Sequence, residues 1–228
     1  MHQEFATRPL SINEIYIFDK DMKHHIFNVL RMKENDRIRI VDSLNHPFIG
    51  IIDGNHDLLI TEALDGDSEL SIRVKACIAL IKPDKLATSL QKLTELGVSE
   101  IVVFSSSRTV YKTDESKLER YRKILKEAAK QSNRNIIPSI SLSSLDKLID
   151  HKCENNFLAY EREGSNKIDY SALRGDICFV IGPEGGFSEK EADYLIENGF
   201  KPVSLGKRIL RAETAALYMM SCIGEFYG

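Results

Sequence analysis

From Arg73 onward the chain alternates short apolar runs with amphipathic helical stretches, and no other feature constrains its fold as much. Strands are expected at 73–81, 100–104, 156–160, 176–181 and 202–205. Between them, a helix is expected from Asp84 to Leu96, stopping at Gly97, and another over 115–131 with Leu118, Tyr121, Leu125 and Ala128 on one face. Ser188 followed by Glu191 is a capping box that opens a helix ending at Gly199, and 212–226 is a closing helix. Strand–helix alternation of this kind builds a parallel sheet covered by helices, so the fold class is α/β.

Residues 1–72 have a different texture. Apolar stretches at 14–18, 37–41, 48–52 and 58–61 are separated by turns rich in Asp, Asn and Gly, and one helix over 22–31 carries His25, Ile26, Val29 and Leu30 at helical spacing. The change of texture places a domain boundary near residue 72, giving domains 1–72 and 73–228. Charge divides in the same place. The first part holds 7 basic and 13 acidic side chains and the second 24 and 21, so no bulk positive charge coats a nucleic acid. Within 105–134, however, nine Lys or Arg face four acids, a local patch of the sort that contacts phosphates, although charge alone favours a solvated helix face.

Five of the six histidines lie at 2, 24, 25, 46 and 56, with no acidic or cysteine partner recognised at a metal-ligand spacing, so no metal is expected. Cys77, Cys153, Cys178 and Cys222 form no Cys-x-x-Cys pair and read as reduced thiols. No apolar run reaches the roughly 20 residues needed to span a bilayer, and the first residues lack the basic and apolar regions of a signal peptide, so a cytoplasmic protein without membrane partners is expected.

Two loops carry the chemistry. The strand ending at Ile181 runs into Gly182-Pro183-Glu184-Gly185-Gly186-Phe187-Ser188, a stiff turn whose backbone can approach a ligand, at the carboxyl end of a strand where open α/β folds bind ligands. It has neither the Gly-x-Gly-x-x-Gly fingerprint nor a Walker Gly-Lys-Ser/Thr, so nucleotide phosphates are not implied. The second loop, Gly206-Lys207-Arg208-Ile209-Leu210-Arg211-Ala212-Glu213-Thr214-Ala215, joins the next strand to a helix and sets two arginines and a glutamate around two apolar residues. Each loop taken alone also reads as an ordinary strand-to-helix junction.

The segment from Ile181 to Ser188, followed by Leu205 to Ala215, resembles the RsmE family of 16S ribosomal RNA uridine-N3 methyltransferases, of the SPOUT superfamily. So do Lys92-Leu-Thr-Glu-Leu-Gly-Val-Ser-Glu-Ile101, Glu127-Ala-Ala-Lys-Gln-Ser-Asn-Arg134 with Pro138, and His24-His25-Ile26-Phe27-Asn28-Val29-Leu30-Arg31. The likeness covers nearly the whole chain. It departs at Ala212, where many relatives have threonine, and at Asp42-Ser43-Leu44, which lacks a glycine often found there.

The resemblance implies an N-terminal PUA-like β-barrel that binds RNA, and a C-terminal SPOUT-type domain whose parallel sheet carries a trefoil knot. It implies a homodimer, S-adenosyl-L-methionine as cofactor, and 16S rRNA or the assembled small ribosomal subunit as partner. The cofactor residues it implies are Tyr160, Ile181, Gly182, Pro183, Gly185 and Gly186, with Leu205, Gly206, Ile209, Leu210 and Ala215. Arg211 is the candidate for stabilising the uracil anion, and Arg108, Arg134 and Arg208 for holding RNA. Glu184 and Glu213 are the acids within the motifs and Glu213 is a catalytic candidate; Glu184 bracing the glycine loop and Glu213 pairing with Arg208 or Arg211 are the favoured, structural readings, and the base stays unassigned. Three other readings stay open: a ribosome-assembly RNA-binding protein without chemistry, a nicotinamide oxidoreductase, and a methyltransferase acting on another base or on transfer RNA.

Overall fold

The computed structural model describes residues 1–160 and 167–228. The chain packs as two compact units, one of Met1–Ser68 with Lys130–Ile136 and the other of Glu69–Ala129 with Ile137–Gly228. In the first unit β1 (His2–Phe5), β2 (Ile15–Tyr16), β3 (Arg37–Val41), β4 (Pro47–Ile52) and β5 (Leu58–Ala63) form one sheet in the order β1-β3-β4-β5-β2. The β1–β3 pair is parallel and the others antiparallel. Alternation drives one face inward: Ile38, Ile40, Ile52, Leu58 and Ile60 are fully buried in a single apolar cluster. Gly50 is required there, because a Cβ would lie 2.4 Å from Leu58 Cγ.

The single expected helix is a short α-helix, α1 (Lys20–Lys23), capped by the Asp19 carboxylate, which then widens into a π-helical stretch over His24–Val29. Within it Ile26 is fully buried in the core of this unit. Strand β1 was not expected from the sequence, because its inward groups are polar. Gln3 donates to the Arg134 carbonyl at 2.7 Å and accepts from the Arg39 guanidinium, which also donates to Asn135. Residues 130–136 are thus tied into the first unit by buried hydrogen bonds.

The second unit begins with β6 (Val74–Ala79), α2 (Pro83–Glu95), β7 (Glu100–Ser105) and α3 (Glu115–Gln131). It continues through β8 (Ser139–Ser144), a 3-10 turn over Leu145–His151, β9 (Asn155–Ala159) and a 3-10 turn at Tyr170–Ala172. It ends with β10 (Ile177–Ile181), α4 (Glu189–Glu197), β11 (Lys201–Val203) and α5 (Ala212–Tyr227). Its six strands are all parallel in the order β11-β9-β10-β6-β7-β8. Val74, Ala76 and Ile78 pack with Leu86, Leu90, Leu118, Leu125, Met219 and Ile223 from α2, α3 and α5. The alternate residues Cys77, Ala79, Cys178 and Val180 pack with Phe187, Ala192 and Leu195 on the α4 side. Both sheet faces are therefore covered, which is why β10 is apolar and buried throughout. The cysteines are all free thiols, Cys77 and Cys178 fully buried.

Ile26→Ala removes a fully buried side chain from the smaller core and is expected to cost about 2–5 kcal/mol, read as a lowered urea midpoint.

Candidate functional site

The parallel register brings three strand ends level. Ile181 pairs with Ala159, and Ala159 with Val203, so Tyr160, the Gly182 loop and the segment after Val203 leave the sheet side by side. The order β9-β10-β6 also reverses the direction of winding at β10, the kind of point at which open α/β sheets hold ligands. A cleft of about 670 Å³ opens there, within the range of small-molecule sites.

Its floor is the end of β10. The turn from Pro183 to Gly186 is closed by the Gly186 N–H donating to the Pro183 carbonyl at 2.8 Å, and Gly186 has φ +66°. Gly182 is fixed by close approach instead: a Cβ there would lie 2.8 Å from the Phe187 ring, which stacks on Phe104 with centroids 6.4 Å apart. The loop is braced from the β7 side by Arg108, whose Nη1 donates to the carbonyls of Gly185 at 2.8 Å and Phe187 at 3.3 Å. Beyond it, Ser188 and Glu191 make the expected capping box on α4, and Glu191 also accepts from the Ser107 N–H at 2.7 Å. Burial pushes the Glu191 carboxyl up, but the Ser107 and Ser188 N–H groups and the Ser188 hydroxyl outweigh it and hold the group below the usual range.

The second wall is Ser204 to Ala212. Gly206 turns with φ +115°, and Ile209 is 84% exposed on this wall. Arg211 is the N-cap residue of α5; its side chain is exposed and lines the cleft. Glu213 lies in the first turn of α5, where the helix dipole favours a carboxylate, and pairs at 3.7 Å with Lys85 rather than with Arg208 or Arg211. Glu184 accepts weakly from the Lys82 N–H at 3.5 Å. Lys82, Lys85, Arg108, Arg208 and Arg211 outnumber Glu184 and Glu213 along the lining, so the cleft favours an anionic ligand or substrate.

Tyr160, Ile181, Gly182, Pro183, Gly185 and Gly186 all line this cleft, as do Leu205, Gly206, Ile209, Leu210 and Ala215. So do Arg108, Arg208, Arg211 and Glu213. Arg134 does not; it is 2% exposed within the first unit. Arg108, named for RNA, spends two donor contacts on the glycine-loop backbone. Lys82 and Lys85 were not singled out in the sequence. The available signal was the junction Lys82-Pro83-Asp84, a further strand-to-helix turn beside the other two.

Comparison with known proteins agrees with this geometry. A model of the RNA methyltransferase domain matches residues 68–224, and a model of the RNA methyltransferase PUA domain matches residues 18–61. The chain is 36% identical to the ribosomal RNA small subunit methyltransferase E of Bacillus subtilis (strain 168), over 88% of this chain and 86% of that protein. It is 31% identical to the protein of the same name from Mesomycoplasma hyopneumoniae (strain 232), over 92% and 100%. Among solved structures, the ribosomal RNA small subunit methyltransferase E of Neisseria gonorrhoeae bound to S-adenosyl methionine superposes with a TM-score of 0.92 at 26% identity, covering 100% of this chain and 98% of that one.

Arg108→Ala is expected to speed amide hydrogen exchange across 185–188 while leaving β10 protected. For Glu191, whose carboxyl is depressed, the ionised form stabilises the fold above the ordinary value of 4.5, and the contribution is lost as pH falls through the lowered value. Glu191→Gln should therefore be less stable than the parent near neutral pH and converge with it in acid, as measured by thermal melts across pH.

Proposed function

We propose that this chain, which belongs to the ribosomal RNA small subunit methyltransferase E family of RNA methyltransferases, methylates N3 of a uridine in 16S rRNA with S-adenosyl-L-methionine as the donor. The observation that carries the reading is the cleft at the level ends of β9, β10 and β11, in a fold that superposes along its length on a relative bound to S-adenosyl methionine. The residues present fit such a cofactor. A purine and a methionyl chain need apolar surface with a few backbone donors and acceptors, and Ile181, Leu205, Ile209, Leu210 and Ala215 supply the first. Gly182, Gly185, Gly186 and Gly206 bring main-chain groups to the surface without side-chain bulk, Pro183 stiffens the turn between them, and Tyr160 closes the neighbouring strand end.

When bound, the cofactor supplies an electrophilic methyl group. The protein must hold the uracil N3 in line with it and stabilise negative charge on the base as its proton leaves. Arg211 is the residue for that charge, since it is exposed, lines the cleft and is fixed at the start of α5. Arg208 is exposed beside it and would hold RNA phosphate; Arg108 would add positive field while bracing the glycine loop. The Lys85 partner of Glu213 and the Lys82 contact of Glu184 support structural roles for both acids and leave the base unassigned. Arg134, buried in the first unit, is read as a structural residue rather than an RNA contact.

The same reading takes residues 1–72 as a PUA-like β-barrel that engages RNA and 73–228 as the knotted catalytic domain. Homodimerisation is supported by exposed apolar groups in the second unit: Val110 and Ile209 at 83% and 84%, with Tyr218 and Phe226 on α5. No helix of the described residues is long and apolar enough to cross a membrane, in keeping with a ribosomal substrate in the cytoplasm.

Mass spectrometry of 16S rRNA from a strain lacking the protein is expected to show one N3-methyluridine missing, restored by the intact gene; its persistence would reject the substrate. Arg211→Ala should lower methyl transfer by roughly 10²-fold with cofactor affinity by calorimetry unchanged. Full turnover in that variant would remove Arg211 from the reaction.

A further inference from the structure

We propose that His2, Glu4 and His25 of the first unit form a binding site for one divalent transition-metal ion, with zinc favoured by the donor chemistry. The sequence concealed this grouping because His25 is remote from the other two along the chain, and the fold brings it back to them. In β1, residues two apart share a face, so His2 and Glu4 point to the same side and Gln3 to the other, where it bonds Arg39 and the Arg134 carbonyl. His25 arrives from the π-helical stretch, whose widened turn is closed by the Leu30 N–H donating to the His25 carbonyl at 2.9 Å.

One ligand atom from each of the three side chains lies within 4.8 Å of the others. His2 Nε2 is 2.9 Å from Glu4 Oε1, and the two imidazole centroids are 5.5 Å apart with planes inclined at 44°. A tetrahedral ion with bonds of about 2.0–2.2 Å holds its ligands roughly 3.3 Å apart. The His2–Glu4 pair already lies inside that separation, and the whole triangle of ligand atoms stays within 4.8 Å.

Glu4 is the fixed point. Its side chain is 2% exposed, and Lys130 Nζ lies 2.8 Å from Oε2 and 3.0 Å from Oε1. With an ion on Oε1, Lys130 keeps Oε2, and a carboxylate ligand oriented by an outer partner is a recurring feature of metal sites. Two imidazoles and one carboxylate are a donor set that zinc accepts, with a fourth position left to water. The ion would join edge strand β1 to the π-helical stretch.

The test uses the full-length protein stripped with a chelator and titrated with zinc by calorimetry, then with cobalt by visible absorption. One equivalent is expected to bind, with cobalt bands of a nitrogen and oxygen site and no sulfur-to-cobalt charge transfer. His25→Asn and His2→Asn should each weaken binding at least about tenfold, and zinc should raise the melting temperature of the parent but of neither variant. Circular dichroism checks that both variants fold. Absence of saturable one-to-one binding, a thiolate charge-transfer band, or unchanged affinity in the two folded variants would each overturn the proposal.

Discussion

Parallel pairing is the constraint on which the rest of the second unit depends. Because all six strands run the same way, every strand-to-helix turn leaves from one edge of the sheet, and the register makes the ends of β9, β10 and β11 coincide. A cleft built from backbone follows directly, since the chain must turn sharply at each of those ends. The same pairing demands helices on both faces, which accounts for the apolar composition of β10 and for the packing of α2, α3 and α5 opposite α4.

The glycine loop is held from three directions, one by apolar packing and two by hydrogen bonds. Phe187 packs into the core beneath Gly182, Arg108 binds carbonyls from the β7 side, and the Ser188–Glu191 box fixes the helix that follows. Glu191 links the last two by accepting from Ser107, next to Arg108 in the chain. A backbone surface aimed at a ligand has no side chain of its own to anchor it, so its geometry rests on these neighbours.

Much of this was legible in the residues. Strand β3 and helix α3 fall where periodicity puts them, and the two loops quoted from the sequence line a single cleft. The failures have physical causes. Strand β1 reads His-Gln-Glu-Phe, with its polar groups satisfied by residues 130–136, a pairing no local pattern announces. Strand β8 reads Ser-Ile-Ser-Leu-Ser-Ser and gains its place from pairing with β7 rather than from apolar content. The π-helical stretch carries a helical spacing of apolar residues, so only its hydrogen bonds distinguish it from the expected α-helix. Lys85 meets Glu213 across a separation that neither loop motif includes.

The interleaving of the two units has a consequence for synthesis. Residues 1–68 leave the ribosome long before Lys130, Arg134 and Asn135, yet in the finished unit Glu4 pairs with Lys130 and Arg39 donates to Asn135. Until then Glu4 has His2 and Arg39 has Gln3, but the Lys130 ammonium and the Asn135 amide that complete their pairing are missing, which disfavours burying either charge early. The first unit is thus the earliest made and cannot be the earliest completed: its closure waits on a stretch of chain from the middle of the molecule. Translation speed through residues 69–136 then sets how long the first unit stands without this segment among other nascent chains.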